Sequence, residues 1–191
     1  MIDLSILIVN WNTKDALADC LRALPEAVAS VPAETIVVDN GSSDGSPEMV
    51  RAQFPWVRLI ENGENAGFVR ATNQAIAESR GDYLLLLNSD AIATPNSLAR
   101  MVSFMRHHPD SGAVAPKLVN PDGSFQASYA RFPTLFSESL SAFGLNRRLW
   151  GPHHPSPPPR PDEIPHPVDW APGACLLLRR SAVEAVGPLD E

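Results

Sequence analysis

The sequence has 191 residues, is 44% hydrophobic and carries a formal net charge of −7. That much apolar material supports one domain-sized core and excludes a chain disordered throughout. The acidic balance argues against a nucleic-acid backbone or an anionic membrane surface as the main partner, while leaving room for a small phosphate-bearing ligand at a local site.

The first predicted element is a strand, Leu4–Val9, a short apolar run bounded by polar residues. Leu17, Cys20, Leu21 and Leu24 then follow helical spacing and form one apolar stripe. A second strand is predicted at Thr35–Asp39. The pair Ser46-Pro47 reads as an N-cap followed by proline at the first helical position. A third strand at Val57–Glu61 is followed by a helix over Ala66–Arg80, with Gly81 where a C-terminal cap belongs. A fourth strand, Tyr83–Asn88, precedes another cap-and-proline start at Thr94-Pro95 and a stripe of Leu98, Met101, Val102 and Met105.

This alternation predicts a Rossmann-like α/β domain, a mostly parallel sheet with helices on both faces. Beyond Gly112 the pattern changes. The runs "GAVAPKL", "FQASYAR" and "GACLLLRR" are strand-like, a helix is predicted within Pro133–Trp150, and Gly151–Val168 holds eight prolines and should form an extended, flexible excursion. His153, His154 and His166 lie in that excursion and read as solvated loop residues rather than a metal cluster.

In sheets of this kind ligands bind beyond the carboxyl ends of the strands. Asn10 and Asn12 follow the first predicted strand; Asp39, Asn40 and Asp44 the second; Asn62 and Asn65 the third; Asn88, Ser89 and Asp90 the fourth. Asp39 can accept a hydrogen bond from an imide N–H such as that of uracil or thymine, and the glycine-serine turn after it gives close backbone access. The same stretch also suits an ordinary Asn-Gly turn with capping by Asp44 or Ser46. Gly67 and Arg70 stand at a helix start, where free N–H groups suit a phosphate, although a surface arginine explains Arg70 equally well. Asn88-Ser89-Asp90 offers oxygen ligands to a hard divalent cation, Mg²⁺ or Mn²⁺, of the kind shared between a carboxylate and a diphosphate. Neither a dinucleotide fingerprint nor a P-loop is present.

The two cysteines, Cys20 and Cys175, provide no disulfide framework and no zinc spacing, and they read as buried free thiols in a reducing compartment. No apolar run reaches the ~20 residues that cross a bilayer, and no basic stretch precedes the first strand. A soluble cytoplasmic protein is the expectation.

Taken together, "SILIVNWN", "VVDNGSSDGS", "NAGFVRATNQAI", "LLLLNSDA" and "APGACLLLRRSAVEAVGPLDE" resemble family 2 glycosyltransferases with the GT-A fold, and most closely the rhamnosyltransferase-like branch of cell-wall and surface-polysaccharide assembly. The resemblance covers the whole chain except the proline-rich stretch. It implies one GT-A domain over residues 1–191. Residues 1–118 would form the nucleotide-binding half, and residues 119–191 part of the acceptor half, with a flexible 151–168.

On this resemblance Asp39 would contact the base of a UDP- or dTDP-sugar, with Asn10, Asn12, Asn65, Gly67, Arg70, Asn73, Ser89 and Asp90 completing the nucleotide site. Asp90 and Asn88 would hold the metal, Asn88 standing where the family's motif more often has an acid. Trp170, Gly173 and Ala174 would line the acceptor side, for a glycan or lipid-linked acceptor, and the full-length protein could associate peripherally with a membrane. The family's general base comes from an acidic pair some ten residues beyond the motif that ends here in Asp190-Glu191. The chain is therefore expected to be incomplete at its C-terminus and to bind donor without efficient turnover. Two rivals remain: a sugar-phosphate nucleotidyltransferase, which would want a glycine-rich basic loop after the first strand, and a non-catalytic nucleotide- or glycan-binding module.

Overall fold

The computed structural model describes residues 2–130, 132, 134–135 and 165–191. The apolar runs become strands, most deeply buried in the first, second and fourth. These are β1 (Leu4–Asn10), β2 (Ala33–Asp39), β3 (Arg58–Glu61) and β4 (Tyr83–Leu87), with short β5 (Ala113–Val114) and, much later in the chain, β8 (Cys175–Arg179). They form one six-stranded sheet in the order β3-β2-β1-β4-β8-β5. The pairings β1–β2, β2–β3 and β1–β4 are parallel, whereas β8 runs antiparallel to both β4 and β5.

The helices alternate with the strands: α1 (Lys14–Val28), α2 (Ser46–Gln53), α3 (Phe68–Glu78), α4 (Ser97–His107) and α5 (Arg180–Val186). Right-handed crossovers put α1 and α2 on one face as the chain steps outward from β1 to β3. The return from β3 to β4 puts α3 on the other. Strand alternation matches this division. Leu7, Ile36, Val38, Leu84 and Leu86 pack with Ala71 and Ala75 of α3 and with Val183 of α5, while Ile6, Ile8, Val37 and Leu85, buried to 1% exposure or less, serve the opposite face.

The chain divides into two compact units, 1–114 with 173–191, and 115–172. In the second, β6 (Leu118–Val119) and β7 (Phe125–Gln126) form an antiparallel hairpin, and Ala130 bridges Trp170. Pro116 separates β5 from β6, so "GAVAPKL" yields two short strands rather than one. Only Phe125–Gln126 of "FQASYAR" is a strand. The helix expected within Pro133–Trp150, the excursion over 151–164 and His153 and His154 lie outside the described residues, apart from residues 134–135.

Three helix ends differ from the sequence reading. Asp44 accepts both the N–H (3.0 Å) and the hydroxyl (2.6 Å) of Ser46, which draws the start of α2 one residue earlier. Gly45, at φ +83°, is therefore the N-cap, and Ser46 is already helical. α4 begins at Ser97 behind Asn96 rather than at Thr94-Pro95, because Asn96 N–H is tied to the Glu26 carbonyl at 2.9 Å. α3 ends at Glu78 with Ser79 as its cap. Gly81 serves a different purpose: a Cβ there would stand 2.6 Å from the Ser5 nitrogen and 2.8 Å from the Leu4 carbonyl carbon, so glycine lets the chain press against β1.

Candidate functional site

The parallel strands bring their carboxyl ends to one rim, with Asn10 opposite Asp39 and Asp39 opposite Glu61. Asn10 is fully buried and Asp39 is 2% exposed, and both are satisfied by neighbours. Asn10 Nδ2 donates to Asp39 Oδ2 at 2.9 Å and to Ser42 Oγ at 3.2 Å. The Ser42 N–H donates to Asp39 Oδ1 at 2.8 Å. The Thr13 hydroxyl donates to Asn10 Oδ1 at 2.6 Å and lies 2.9 Å from the Ser89 hydroxyl. A chain of polar contacts thus runs from the end of β4 through β1 to the end of β2. A carboxylate offers about four lone-pair sites, so Asp39 keeps acceptor capacity after these two bonds.

Asn12 sits in the left-handed region at φ +54° and locks the same turn, accepting the Ser43 N–H at 2.8 Å while its own N–H donates to Ser42 Oγ at 2.9 Å. On the neighbouring residues, the Lys14 N–H donates to Asp44 at 2.8 Å. Partial burial would raise the Asp44 pKa; the hydrogen bonds from Ser46 and Lys14 outweigh it and hold the carboxyl below its usual range.

Asn40, which the sequence marks only as a strand-end residue, organises the next part of the rim. It is 2% exposed. Its Nδ2 donates to Asn65 Oδ1 at 2.8 Å and to the Gly67 carbonyl at 3.3 Å. Its Oδ1 accepts from Asn62 Nδ2 at 3.1 Å and from the Ala66 N–H at 3.0 Å. One side chain therefore fixes the loop between β3 and α3. Gly41 permits the approach, since a Cβ there would stand 2.8 Å from the carbonyl carbon of Glu64. The available signal was an asparagine directly after Asp39, but its partners lie more than twenty residues away.

Beyond β4, the Asn88 N–H donates to the Ala174 carbonyl at 3.0 Å. The antiparallel pairing of β8 with β4 therefore brings Gly173-Ala174 to the Asn88 end of the rim. Cys20 lies beneath it, its thiol 3.8 Å from the Asn88 carbonyl. Burial, reinforced by the Asp90 charge and by Cys175, pushes the Cys20 thiol up to about 12, and burial pushes Cys175 to about 12 as well. Asp90 is exposed and makes no hydrogen bond or ion pair among the described residues. Those residues also contain no group of three histidine, cysteine or acidic side chains that could enclose a metal. One free carboxylate and one amide oxygen fit a cation whose remaining ligands are phosphate oxygens and water, not an all-protein cage.

At α3, Gly67 is the N-cap in a conformation open to glycine alone, φ +86° and ψ 157°. Asn65 Oδ1 accepts the Gly67 N–H at 2.9 Å. Arg70 lines a cleft of about 560 Å³ with Glu61, Glu64, Asn73 and Glu191; neither Asp39 nor Asp90 borders it. Arg70 makes no ion pair among the described residues. The Asn73 amide is taken on both atoms by the backbone of Leu189. Trp170 belongs to the second unit, where it pairs with Ala130.

Known proteins share this fold. Against solved structures, the fold matches a mannosyltransferase from Pyrobaculum calidifontis in complex with GDP-Man and Mn²⁺, with a TM-score of 0.62 and 22% identity, over 98% of this chain and 47% of that one. It matches TarS of S. aureus in complex with UDP-GlcNAc with a TM-score of 0.62 and 18% identity, over 97% of this chain and 47% of that one. The fold is GT-A. Among curated proteins, an N-acetylglucosaminyl-diphospho-decaprenol L-rhamnosyltransferase of Mycobacterium tuberculosis is 33% identical over 206 aligned residues, which cover 98% of this chain and 65% of the relative. A low-salt glycan biosynthesis hexosyltransferase of Haloferax volcanii is 25% identical, over 99% of this chain and 56% of its own length. The chain thus spans about 65% or less of these relatives. A sequence profile of glycosyl transferase family 2 matches residues 5–187, and the chain belongs to that family.

Proposed function

We propose that this chain is the donor-binding part of an enzyme that transfers a sugar, with rhamnose the leading candidate, from a UDP- or dTDP-sugar to a hydroxyl of a lipid-linked glycan in cell-wall or surface-polysaccharide assembly. The observation that carries this reading is Asp39. Its carboxylate is buried at a strand end, oriented by Asn10 and Ser42 and linked through Thr13 to Ser89, next to the exposed Asp90. The rhamnosyltransferase relative supports the choice of sugar and of a lipid-linked acceptor.

In this reading Asp39 uses its remaining lone pairs to accept the imide N–H of the base, and Asn10, Asn12 and Ser42 hold it in register. The Asn40-fixed loop, through Asn65 and Gly67, presents the first N–H groups of α3 to anionic oxygens of the donor, and Arg70 supplies a cation on the same helix. Asp90 and Asn88 would hold Mg²⁺ or Mn²⁺, which neutralises charge on the departing diphosphate. The acceptor hydroxyl enters from the Gly173-Ala174 side. It gives its proton to a base, its oxygen bonds to the anomeric carbon, and the bond to the diphosphate oxygen breaks on the opposite face, inverting the centre through an oxocarbenium-like transition state. That base is assigned to the part of the family's length that this chain does not span. The two buried free thiols support a cytoplasmic setting. No helix among the described residues is long and apolar enough to cross a membrane. Contact with a lipid-linked acceptor through peripheral association of the full-length protein is part of the proposal.

Calorimetric titration with UDP, dTDP and GDP, each with and without Mn²⁺, tests this directly. Binding of UDP or dTDP that is lost in Asp39→Ala, and that loses its metal dependence in Asp90→Ala, is the expected result. Retention of full affinity in Asp39→Ala would overturn the assignment of the base site. Binding without sugar transfer by a longer chain that restores the relatives' length would favour the non-catalytic module.

A further inference from the structure

We propose that Asn73 is a positioning residue whose amide seats the segment after α5 against α3 and thereby fixes Glu191 at the cleft that Arg70 lines. Asn73 Nδ2 donates to the Leu189 carbonyl at 2.8 Å, and the Leu189 N–H donates to Asn73 Oδ1 at 2.9 Å, across 116 residues of sequence. This is the reciprocal two-bond pattern by which neighbouring strands pair, made here between a helix side chain and a backbone residue. Gly187, at φ +92°, ends α5 with its N–H on the Val183 carbonyl at 2.8 Å. Pro188 then prevents the helix from continuing. The segment that follows belongs to no helix or strand, and among the described residues its hydrogen bonds are the two to Asn73. Leu189 is half-buried, and Glu191 borders the cleft of about 560 Å³ together with Arg70 and Asn73.

The pair also fixes how Asn73 is turned. Leu189 takes one of the two N–H groups and one of the two oxygen lone pairs of the Asn73 amide, which orients that amide toward the segment after α5, while the residues before it on the same helix stay in the proposed donor site. The functional meaning rests on the donor-site reading above. The start of α3 faces the donor, its middle holds the segment that leads onward from α5, and the helix ties the two together.

The test uses the 191-residue chain and hydrogen exchange resolved to the Leu189 amide. In Asn73→Ala, exchange at the Leu189 amide should quicken by about tenfold or more while protection in β1, β2 and β4 stays as in the parent chain, which separates release of the segment from unfolding. Asn73→Asp adds a readout that loss of packing would not produce. As a carboxylate it still accepts the Leu189 N–H but opposes the Leu189 carbonyl; once protonated it donates to that carbonyl. Protection at Leu189 should therefore recover in Asn73→Asp, and not in Asn73→Ala, as pH falls through the carboxyl pKa. In parallel, UDP affinity of Asn73→Ala should stay within about twofold of the parent. Unchanged exchange at the Leu189 amide in Asn73→Ala would overturn the proposal, as would a loss of UDP affinity as large as that of Asp39→Ala. Failure of the parent chain to bind any nucleotide would instead sink the donor-site reading and leave the exchange experiment to decide the role of Asn73.

Discussion

Both oxygens of Asp39 accept from fixed donors, the Asn10 amide and the Ser42 N–H. Replacing one oxygen by an NH₂ group sets donor against donor. Asn10 can turn over to compensate only if the Thr13 hydroxyl, which now donates to Asn10 Oδ1, reverses to accept from it and redirects its proton to Ser89. Asp39→Asn should therefore cost about 1–3 kcal/mol of stability as well as nucleotide affinity, read as a lower urea midpoint at unchanged slope. The thiols beneath the rim make a second prediction at this scale. Both are buried and raised to about 12. The unfolded chain ionises its thiols from about pH 8.5, while the folded chain keeps them protonated. Stability from these groups is thus complete below that pH and erodes as pH rises toward 12. At neutral pH the native thiols should react with a disulfide reagent only as fast as the protein opens, and faster labelling would contradict their burial. At this scale the sequence disclosed polar residues at strand ends but not their partners. Asp39 and Asp90 stood out by chemistry alone, whereas Asn40 and Asn73 acquire roles only from bonds to residues brought near by the fold.

The elements themselves were legible because apolar runs and helical stripes reflect burial that the local sequence must encode. The strands β1 to β4 and the stripes of α1 and α4 fall where periodicity placed them. Helix ends were less legible, because a neighbour from elsewhere decides them: Asp44 at α2, Glu26 at α4. Gly81 is the clearest case. Read locally it is a helix terminator, but in the fold it is the point of contact between the chain entering β4 and the backbone of β1, where its N–H donates to Ser5 Oγ at 2.8 Å. A methyl group at 2.6 Å from the Ser5 nitrogen has no flexible side chain to push aside, so β1 itself must shift. Gly81→Ala should cost about 1–3 kcal/mol, which for a chain of this size lowers Tm by about 2–4 °C per kcal/mol. An unchanged Tm would mean that β1 and the entry to β4 are not in contact.

At the scale of the molecule, the least legible feature was the direction and place of β8. "GACLLLRR" reads as a buried strand, but nothing in its own residues says that it inserts antiparallel between β4 and β5, across a gap of more than fifty residues from β5. Once inserted, it covers the open edge of β4, buries Leu177 to 1% exposure and carries Ala174 to the Asn88 N–H. The first unit is therefore closed by chain that returns after residues 115–172. Val114 of β5 pairs with Leu177 of β8, so the two strands already have the antiparallel register of a hairpin, and the second unit is its connection. Replacing 115–172 by roughly six Gly/Ser residues, within the length of ordinary hairpin and connecting loops, should leave a chain with the full six-stranded sheet and cooperative thermal unfolding. Ending the chain at 172 instead removes β8 and α5 and exposes the β4 edge with its leucines, a surface prone to aggregation. The two variants discriminate sharply. If the shortened hairpin form unfolds without cooperativity, the β5–β8 register does not by itself suffice to close the sheet. If the chain ending at 172 stays monomeric and cooperative, β8 is not what completes the sheet.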